Sequence, residues 1–214
     1  ATVASGKIAY YERGQRVIVV DGNEYGPYYQ LNGMKTLDGK LAFVAIKRVY
    51  PPGESPSSYT PSKVRDEWVL VYDGKEYSAG TGTISSFEAF NGLPVFGVRD
   101  HTNNRGIVYH GTTVLTDDLD ATQQIRVQII GGKILIDGHR GASVETVREE
   151  NGRSYGKIAG GTDVFLYDGR DYYETYPNSY LGAIDADGKL AIQVGRGNNY
   201  NDVIIVYDGR EYQP

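Results

Sequence analysis

Val69-Leu70-Val71-Tyr72-Asp73-Gly74-Lys75-Glu76-Tyr77 decides the fold. Four consecutive apolar residues run into Asp-Gly, and a short outgoing strand follows. Asp-Gly between two strand-like runs is a hairpin signal, because both central residues of the favoured two-residue turn need positive φ. The phrase returns as Val19-Val20-Asp21-Gly22-Asn23-Glu24-Tyr25, as Leu166-Tyr167-Asp168-Gly169-Arg170-Asp171-Tyr172 and as Val206-Tyr207-Asp208-Gly209-Arg210-Glu211-Tyr212. Val108-Tyr109-His110-Gly111-Thr112-Thr113-Val114 is a degraded fifth copy, with His-Gly expected at its turn.

A second phrase stands upstream of each. Gly6-Lys7-Ile8-Ala9-Tyr10, Gly39-Lys40-Leu41-Ala42-Phe43, Gly92-Leu93-Pro94-Val95-Phe96, Gly132-Lys133-Ile134-Leu135-Ile136 and Gly188-Lys189-Leu190-Ala191-Ile192 align column by column. A turn is expected at each leading glycine, after a further strand such as Phe87 to Phe90 or Ile125 to Ile130. The unit is strand A, turn, strand B, loop, strand C, Asp-Gly turn, strand D. Five such units in 214 residues take about 43 each. The 28 glycines and 19 tyrosines suit tight turns and pleated strands.

Strand C fixes how the units pack. Val69 to Tyr72 and Ile204 to Tyr207 are apolar without alternation, which requires cover on both faces of the sheet. The reading is an all-β, five-bladed β-propeller of four-stranded antiparallel blades, a single domain over 1–214 with blades near 1–29, 30–83, 84–123, 124–177 and 178–214. A β-sandwich is the main rival, but it needs no five-fold repeat. Ser143–Gly161 lacks both phrases, and its Glu150-Asn151-Gly152-Arg153 predicts an extra hairpin.

Asp38-Gly39-Lys40-Leu41-Ala42-Phe43 and Asp187-Gly188-Lys189-Leu190-Ala191-Ile192, each with a Tyr-Asp-Gly downstream, resemble the propeller repeat of TolB-type proteins. So does the basic residue closing strand B, as in Arg196-Gly197 before Asp202-Val203-Ile204. The resemblance covers most of the chain and implies architecture, not activity. Asn91, Gly131 and Tyr109-His110 depart from the pattern.

Composition excludes several classes. The charge is −5, which argues against nucleic-acid binding by bulk charge. With no cysteine there is no disulfide, thiolate zinc site or Cys nucleophile. No apolar run approaches the roughly 18 residues that span a bilayer, so no membrane insertion is expected. The chain begins at Ala1, and a secreted or periplasmic mature form is the expectation. Neither a cofactor motif nor metal-ligand spacing is present: His101, His110 and His139 stand apart, and Asp117-Asp118-Leu119-Asp120 lacks the EF-hand pattern and reads as a solvated acidic loop, with calcium left open.

Function should sit on the face that carries the long B–C and D–A loops. The loops Lys47 to Asp66 and Arg140 to Gly161 are expanded, and strand B ends in Arg13, Lys47-Arg48, Arg99, His139-Arg140 or Arg196. These bases either form a ring for a carboxylate, phosphate or uronic acid, or salt-bridge within their blades as part of the repeat. Tyr25, Tyr77, Tyr172 and Tyr212 share one column and read as packing residues, whereas Tyr28, Tyr29, Tyr50, Tyr59, Tyr176, Tyr180 and Tyr200 fall on the variable face. The expected function is a non-catalytic module binding a glycan or protein partner, with Arg99, Arg196, Tyr50, Tyr59, Tyr176 and Tyr200 as ligand-binding residues. A five-bladed glycoside hydrolase is the rival. It needs two carboxylates across one pocket, for which the inner strands offer Glu88 and Asp185. A structural scaffold domain is the third reading.

Overall fold

The computed structural model describes residues 7–10, 16–20, 22–51, 64–141, 143–150, 153–159, 162–167, 170–172, 179–196, 203–207 and 210–213. They are all-β. Sheet 1 holds β1 (Lys7–Tyr10), β2 (Arg16–Val20) and β3 (Asn23–Tyr28). Sheet 2 holds β4 (Gln30–Leu37), β5 (Lys40–Val49), β6 (Arg65–Tyr72) and β7 (Lys75–Ser78). Sheet 3 holds β8 (Thr83–Phe90), β9 (Leu93–Asp100), β10 (Arg105–His110) and β11 (Thr113–Leu119).

Sheet 4 holds β12 (Arg126–Ile130), β13 (Lys133–Arg140), β16 (Thr162–Tyr167) and β17 (Arg170–Asp171). Between its second and third strands the chain makes the separate hairpin expected at Glu150 to Arg153, from β14 (Ser143–Glu150) and β15 (Arg153–Ala159). Sheet 5 holds β18 (Ser179–Ala186), β19 (Lys189–Arg196), β20 (Val203–Tyr207) and β21 (Arg210–Tyr212). Each sheet is an antiparallel meander in chain order. Sheet 1 has three strands rather than four; a strand ahead of β1 would draw on residues 1–6, outside the described residues.

The turns are as tight as the sequence requires. Asp38-Gly39, Asp73-Gly74, Asn91-Gly92, Gly131-Gly132 and Asp187-Gly188 all have positive φ at both residues, the geometry whose twist matches the flanking strands. Sheet 3 departs at its C–D turn. His110 stays on the strand, paired with Thr113, and the turn is Gly111-Thr112 with φ +60° at Gly111 alone. Histidine lacks the short side chain with which Asp and Asn tolerate left-handed backbone, so the turn slides one residue to the glycine.

Strand alternation sends neighbouring residues into different cores. In sheet 2, Phe43, Ala45, Val69 and Val71 pack with Ile18, Val20 and Tyr28 of sheet 1. Val44 and Leu70, on the other face, pack with Phe96 and Val98 of sheet 3. Sheet 3 turns Val95 and Val108 onto Ile125, Val127, Ile136 and Val164. Sheet 4 turns Leu135 and Phe165 onto Leu190, Ile192, Val194 and Ile204 of sheet 5. Each sheet therefore lies face to face with its successor, and among the described residues no such cluster joins sheet 5 to sheet 1.

Close approach needs missing side chains. A Cβ on Gly97 or Gly106 would come within 2.8 and 2.7 Å of Ile125, which plugs the gap between sheets 3 and 4. The Ser86 hydroxyl stitches the same pair, accepting from the Val127 N–H at 2.9 Å and donating to the Ile125 carbonyl at 3.0 Å. Between sheets 4 and 5, a Cβ on Gly131 would overlap the Gly188 carbonyl oxygen, whereas one on Gly132 would meet nothing within 4 Å. Both have positive φ, so Gly132→Ala carries backbone strain alone, about 1 kcal/mol. Gly131→Ala adds overpacking worth about 1–3 kcal/mol and is expected to lower the urea midpoint clearly further. Equal midpoints for the two variants would remove the close contact between sheets 4 and 5.

Candidate functional site

The strand-B bases do not form one ring, because the pleat divides them. Arg99 shares the face of Val95 and looks toward sheet 4; His139 shares the face of Leu135 and looks toward sheet 5. Lys47 and Arg140, one column later, look back toward the preceding sheet. Both of these are ion-paired. Lys47 binds Glu76, which also accepts from the Tyr28 hydroxyl at 2.9 Å. Arg140 lies 2.7 Å from Asp118 of sheet 3 and 3.7 Å from Asp171 of its own sheet. Glu76 and Asp171 occupy the same repeat position, so base and acid recur together as part of the fold. Arg48 pairs with Asp66 at 3.7 Å and lies over the Tyr29 ring at 3.3 Å. His139 approaches Asp163 at 3.4 Å.

Arg99 is different. Its Nε is buried without a hydrogen-bond partner, and it makes no ion pair among the described residues. The residue paired opposite, Gly106, points its Cβ direction at Leu119, Asp120 and Ile125. Arg99 thus sits under the connection from sheet 3 to sheet 4. That connection carries Asp120, 3% exposed, whose carboxylate accepts the Thr122 N–H at 2.8 Å and whose own N–H reaches the His139 carbonyl at 2.7 Å. The Thr122 hydroxyl and His139 Nδ1 are also buried and unpartnered. Arg140 Nε, although ion-paired with Asp118, also lacks a hydrogen bond, so four buried polar atoms at this end of sheets 3 and 4 are without a hydrogen-bond partner.

The acidic residues read as a solvated loop are structured. Asp117 and Asp118 lie on β11, Asp117 bound to Arg105 and Asp118 to Thr116 and Arg140. The physical reason is the apolar anchor Leu119, buried among Val108 and Ile125, which carries the strand through the acidic stretch. Burial alone would push the Asp118 carboxyl up, but the Thr116 hydrogen bond and the Arg140 charge hold it below its usual value. No cluster of three metal-ligating side chains occurs among the described residues. Of the inner-strand carboxylates, Glu88 is held by Lys35 at 2.7 Å, and the Asp185 side chain lies outside the described residues.

Of the other expected ligand residues, Tyr50 follows β5 and is half-buried. Arg196 closes β19 opposite Ser179, with its side chain undescribed. Tyr59, Tyr176 and Tyr200 lie outside the described residues. Tyr50, the one whose side chain is described, makes no hydrogen bond or ring contact with Arg99.

Two clefts lie at the opposite, short-turn end, each lined on one side by the same two repeat positions. One, of about 330 Å³, opens between sheets 4 and 5 beside Arg170, Tyr172, Lys133 and Lys189. The other, of about 540 Å³, opens between sheets 2 and 3 beside Lys75, Tyr77, Leu93 and His110. In both, a base and a tyrosine two residues later on the outer strand overlook the next sheet. That tyrosine column reads in the sequence as packing, and Tyr25, Tyr77 and Tyr172 do pack against the cores between the sheets; the base two residues earlier carries the further signal. The signal was the base-x-Tyr after Asp-Gly, in Lys75-Glu76-Tyr77, Arg170-Asp171-Tyr172 and Arg210-Glu211-Tyr212.

Compared with family models, with curated proteins and with solved structures, the chain matches none. The site must be argued from its own chemistry.

Asp137, on the face of sheet 4 that carries His139, has its carboxyl pushed up by burial, partly offset by Arg126 and reinforced by Asp163. A carboxyl raised in the folded state binds a proton more tightly there than when unfolded. Its stabilising contribution is complete below the ordinary carboxylate range and is lost as pH rises through the raised value. Asp137→Asn is therefore expected to be more stable than the parent at pH 7 and to show no gain near pH 3, read by urea unfolding at both. A gain independent of pH would remove the buried-carboxyl account.

Proposed function

We propose that this chain is a five-bladed β-propeller acting as a non-catalytic binding module, which takes an acidic glycan at the loop end of sheets 3 and 4. Arg99 carries the reading. Every other strand-B base whose side chain is described has an acidic neighbour; Arg99 keeps a buried, unanswered donor under a loop. A guanidinium held that way is suited to a ligand carboxylate or sulfate, and the Thr122 hydroxyl adds a second polar contact for a sugar. The hydrolase reading is weaker because Lys35 neutralises Glu88. A scaffold role leaves Arg99 without a purpose.

Closure of the ring is part of this proposal. On the outward faces of the end sheets, Val17 of β2 is 5% exposed and Ala191 of β19 is 6% exposed, as residues covered by a neighbour would be. Tyr212, on the outer strand of sheet 5, is 49% exposed, so contact would run through the inner strands. The resemblance to TolB-type repeats belongs with this reading. Solution scattering should give a radius of gyration of about 17 Å for a closed ring of this length. A clearly larger value would mean an open row of sheets.

A glycan array of uronic, sulfated and neutral oligosaccharides tests the function. The protein should bind acidic members, and Arg99→Ala should lower that signal about 10-fold or more, the worth of a charge-assisted hydrogen bond. Because the Arg99 donor is unpartnered in the fold, the variant should unfold at the same temperature as the parent or above it. Arg140→Ala should instead lose stability and keep binding. A blank array, or undiminished binding by Arg99→Ala, overturns the reading.

A further inference from the structure

We infer that the two short-turn clefts are a second, repeated set of sites, each taking one acidic sugar unit of a polymeric glycan. The ligand class is that proposed above, on which the inference rests for class alone; the site is at the other end of the sheets and uses none of the same residues.

Three observations converge. Lys75 with Tyr77 and Arg170 with Tyr172 hold the same two repeat positions, and each pair lines one wall of its cleft. Each presents a tyrosine whose body is anchored in the core: Tyr77 lies 6.3 Å from Phe96 and Tyr172 lies 6.2 Å from Phe165, both edge-on. A fixed, half-exposed ring of this kind suits the flat face of a pyranose. Each also presents one exposed base, Lys75 or Arg170, that makes no ion pair with any described residue. Lys133 and Lys189 also line the cleft between sheets 4 and 5, over the Tyr167 and Tyr207 rings at 5.7 and 5.6 Å, and Leu93 stands in their column in the other cleft. A cation beside a tyrosine selects a sugar ring that bears negative charge.

Repetition selects a polymer. A peptide rarely presents the same charged ring twice at a fixed interval, whereas a polyuronate does so along its whole length. Sheet 3 supplies an internal control. Its outer strand reads Thr113-Val114-Leu115-Thr116, with neither base nor tyrosine. The motif recurs once more as Arg210-Glu211-Tyr212, where Tyr212 already stands exposed.

The test uses the whole chain and immobilised polygalacturonate, with galacturonic acid, neutral galactan and dextran sulfate as further arms. Lys75→Ala and Arg170→Ala replace exposed side chains and should leave the melting temperature unchanged. Each alone should weaken binding to the polymer about 10-fold or more by removing one of two linked contacts, and should change binding of the monosaccharide less than twofold. The double variant should fall to the residual binding of the single Arg99 site, while Arg99→Ala at the other end should keep the linked binding at these clefts. If dextran sulfate replaces polygalacturonate as the preferred polymer, the acidic group is a sulfate and the clefts stand. If the double variant binds every polymer as the parent does, or if galactan binds equally well, the inference is overturned. If the double variant fails while Arg99→Ala has no effect anywhere, the loop-end site falls and the clefts remain.

Discussion

Apolar residues on both faces of every central strand are the constraint from which the rest follows. Phe43 and Val44 are adjacent, both nearly inaccessible, and belong to different cores. Such a sheet loses stabilisation unless it has a neighbour on each side. Burying one large aliphatic or aromatic side chain is worth about 1.5–3 kcal/mol, and each interface here gathers several. The sheets therefore stabilise one another in sequence, as in other repeat architectures where each unit contacts only those beside it. Tight spacing then dictates the glycines. Ile125 fills its gap because Gly97 and Gly106 leave room on facing positions, and the Gly131 turn touches the Gly188 turn because neither carries a side chain.

The two ends of the sheets divide their labour. At the short-turn end the repeat residues satisfy one another. Lys40, Lys133 and Lys189 lie over the strand-C rings of Tyr72, Tyr167 and Tyr207 at 5.6, 5.7 and 5.6 Å. Asp73 receives the Lys40 ammonium and also adopts the left-handed backbone of its turn. The Gly-Lys and Tyr-Asp-Gly phrases are thus two halves of one local device, in which cation, ring and carboxylate close the corner of a sheet. At the loop end, order comes from pairs that bridge sheets, such as Arg140 with Asp118 and Tyr28 with Glu76.

The sheet order, the turns and the both-face burial were legible in the sequence because each depends on local pattern. Asp-Gly fixes a hairpin by backbone geometry, and unbroken apolar runs fix two covered faces. The site was legible only in part. The strand-B bases could be seen in the sequence, but a one-column offset reverses the face of the pleat, and so Arg99 and Arg140 end with opposite surroundings. The slide of the sheet 3 turn onto Gly111 was hidden for a similar reason: His110-Gly111 resembles the other turns in spelling but not in tolerance for positive φ. The structured course of Asp117 and Asp118 was masked by their charge, since the anchor Leu119 follows them. Thr122 carried no signal at all, because its burial depends on how two sheets meet.

For an acidic chain, the proposed recognition of acidic ligands has to rely on place rather than on total charge. At −5 its long-range field opposes a polyanion, and screening over about 8 Å at physiological salt confines that opposition to close range. What remains is contact, and contact with a cation is effective where no protein carboxylate competes for it. The fold produces such cations in two ways. At the loop end, a column change leaves Arg99 with no ion pair among the described residues. At the turn end, Asp73 is taken by Lys40, so Lys75, two residues beyond on the outgoing strand, is left over. One route turns a base to the other face of the pleat and the other commits the nearest acid to a different base, and in the proposed reading each leaves a cation for a ligand.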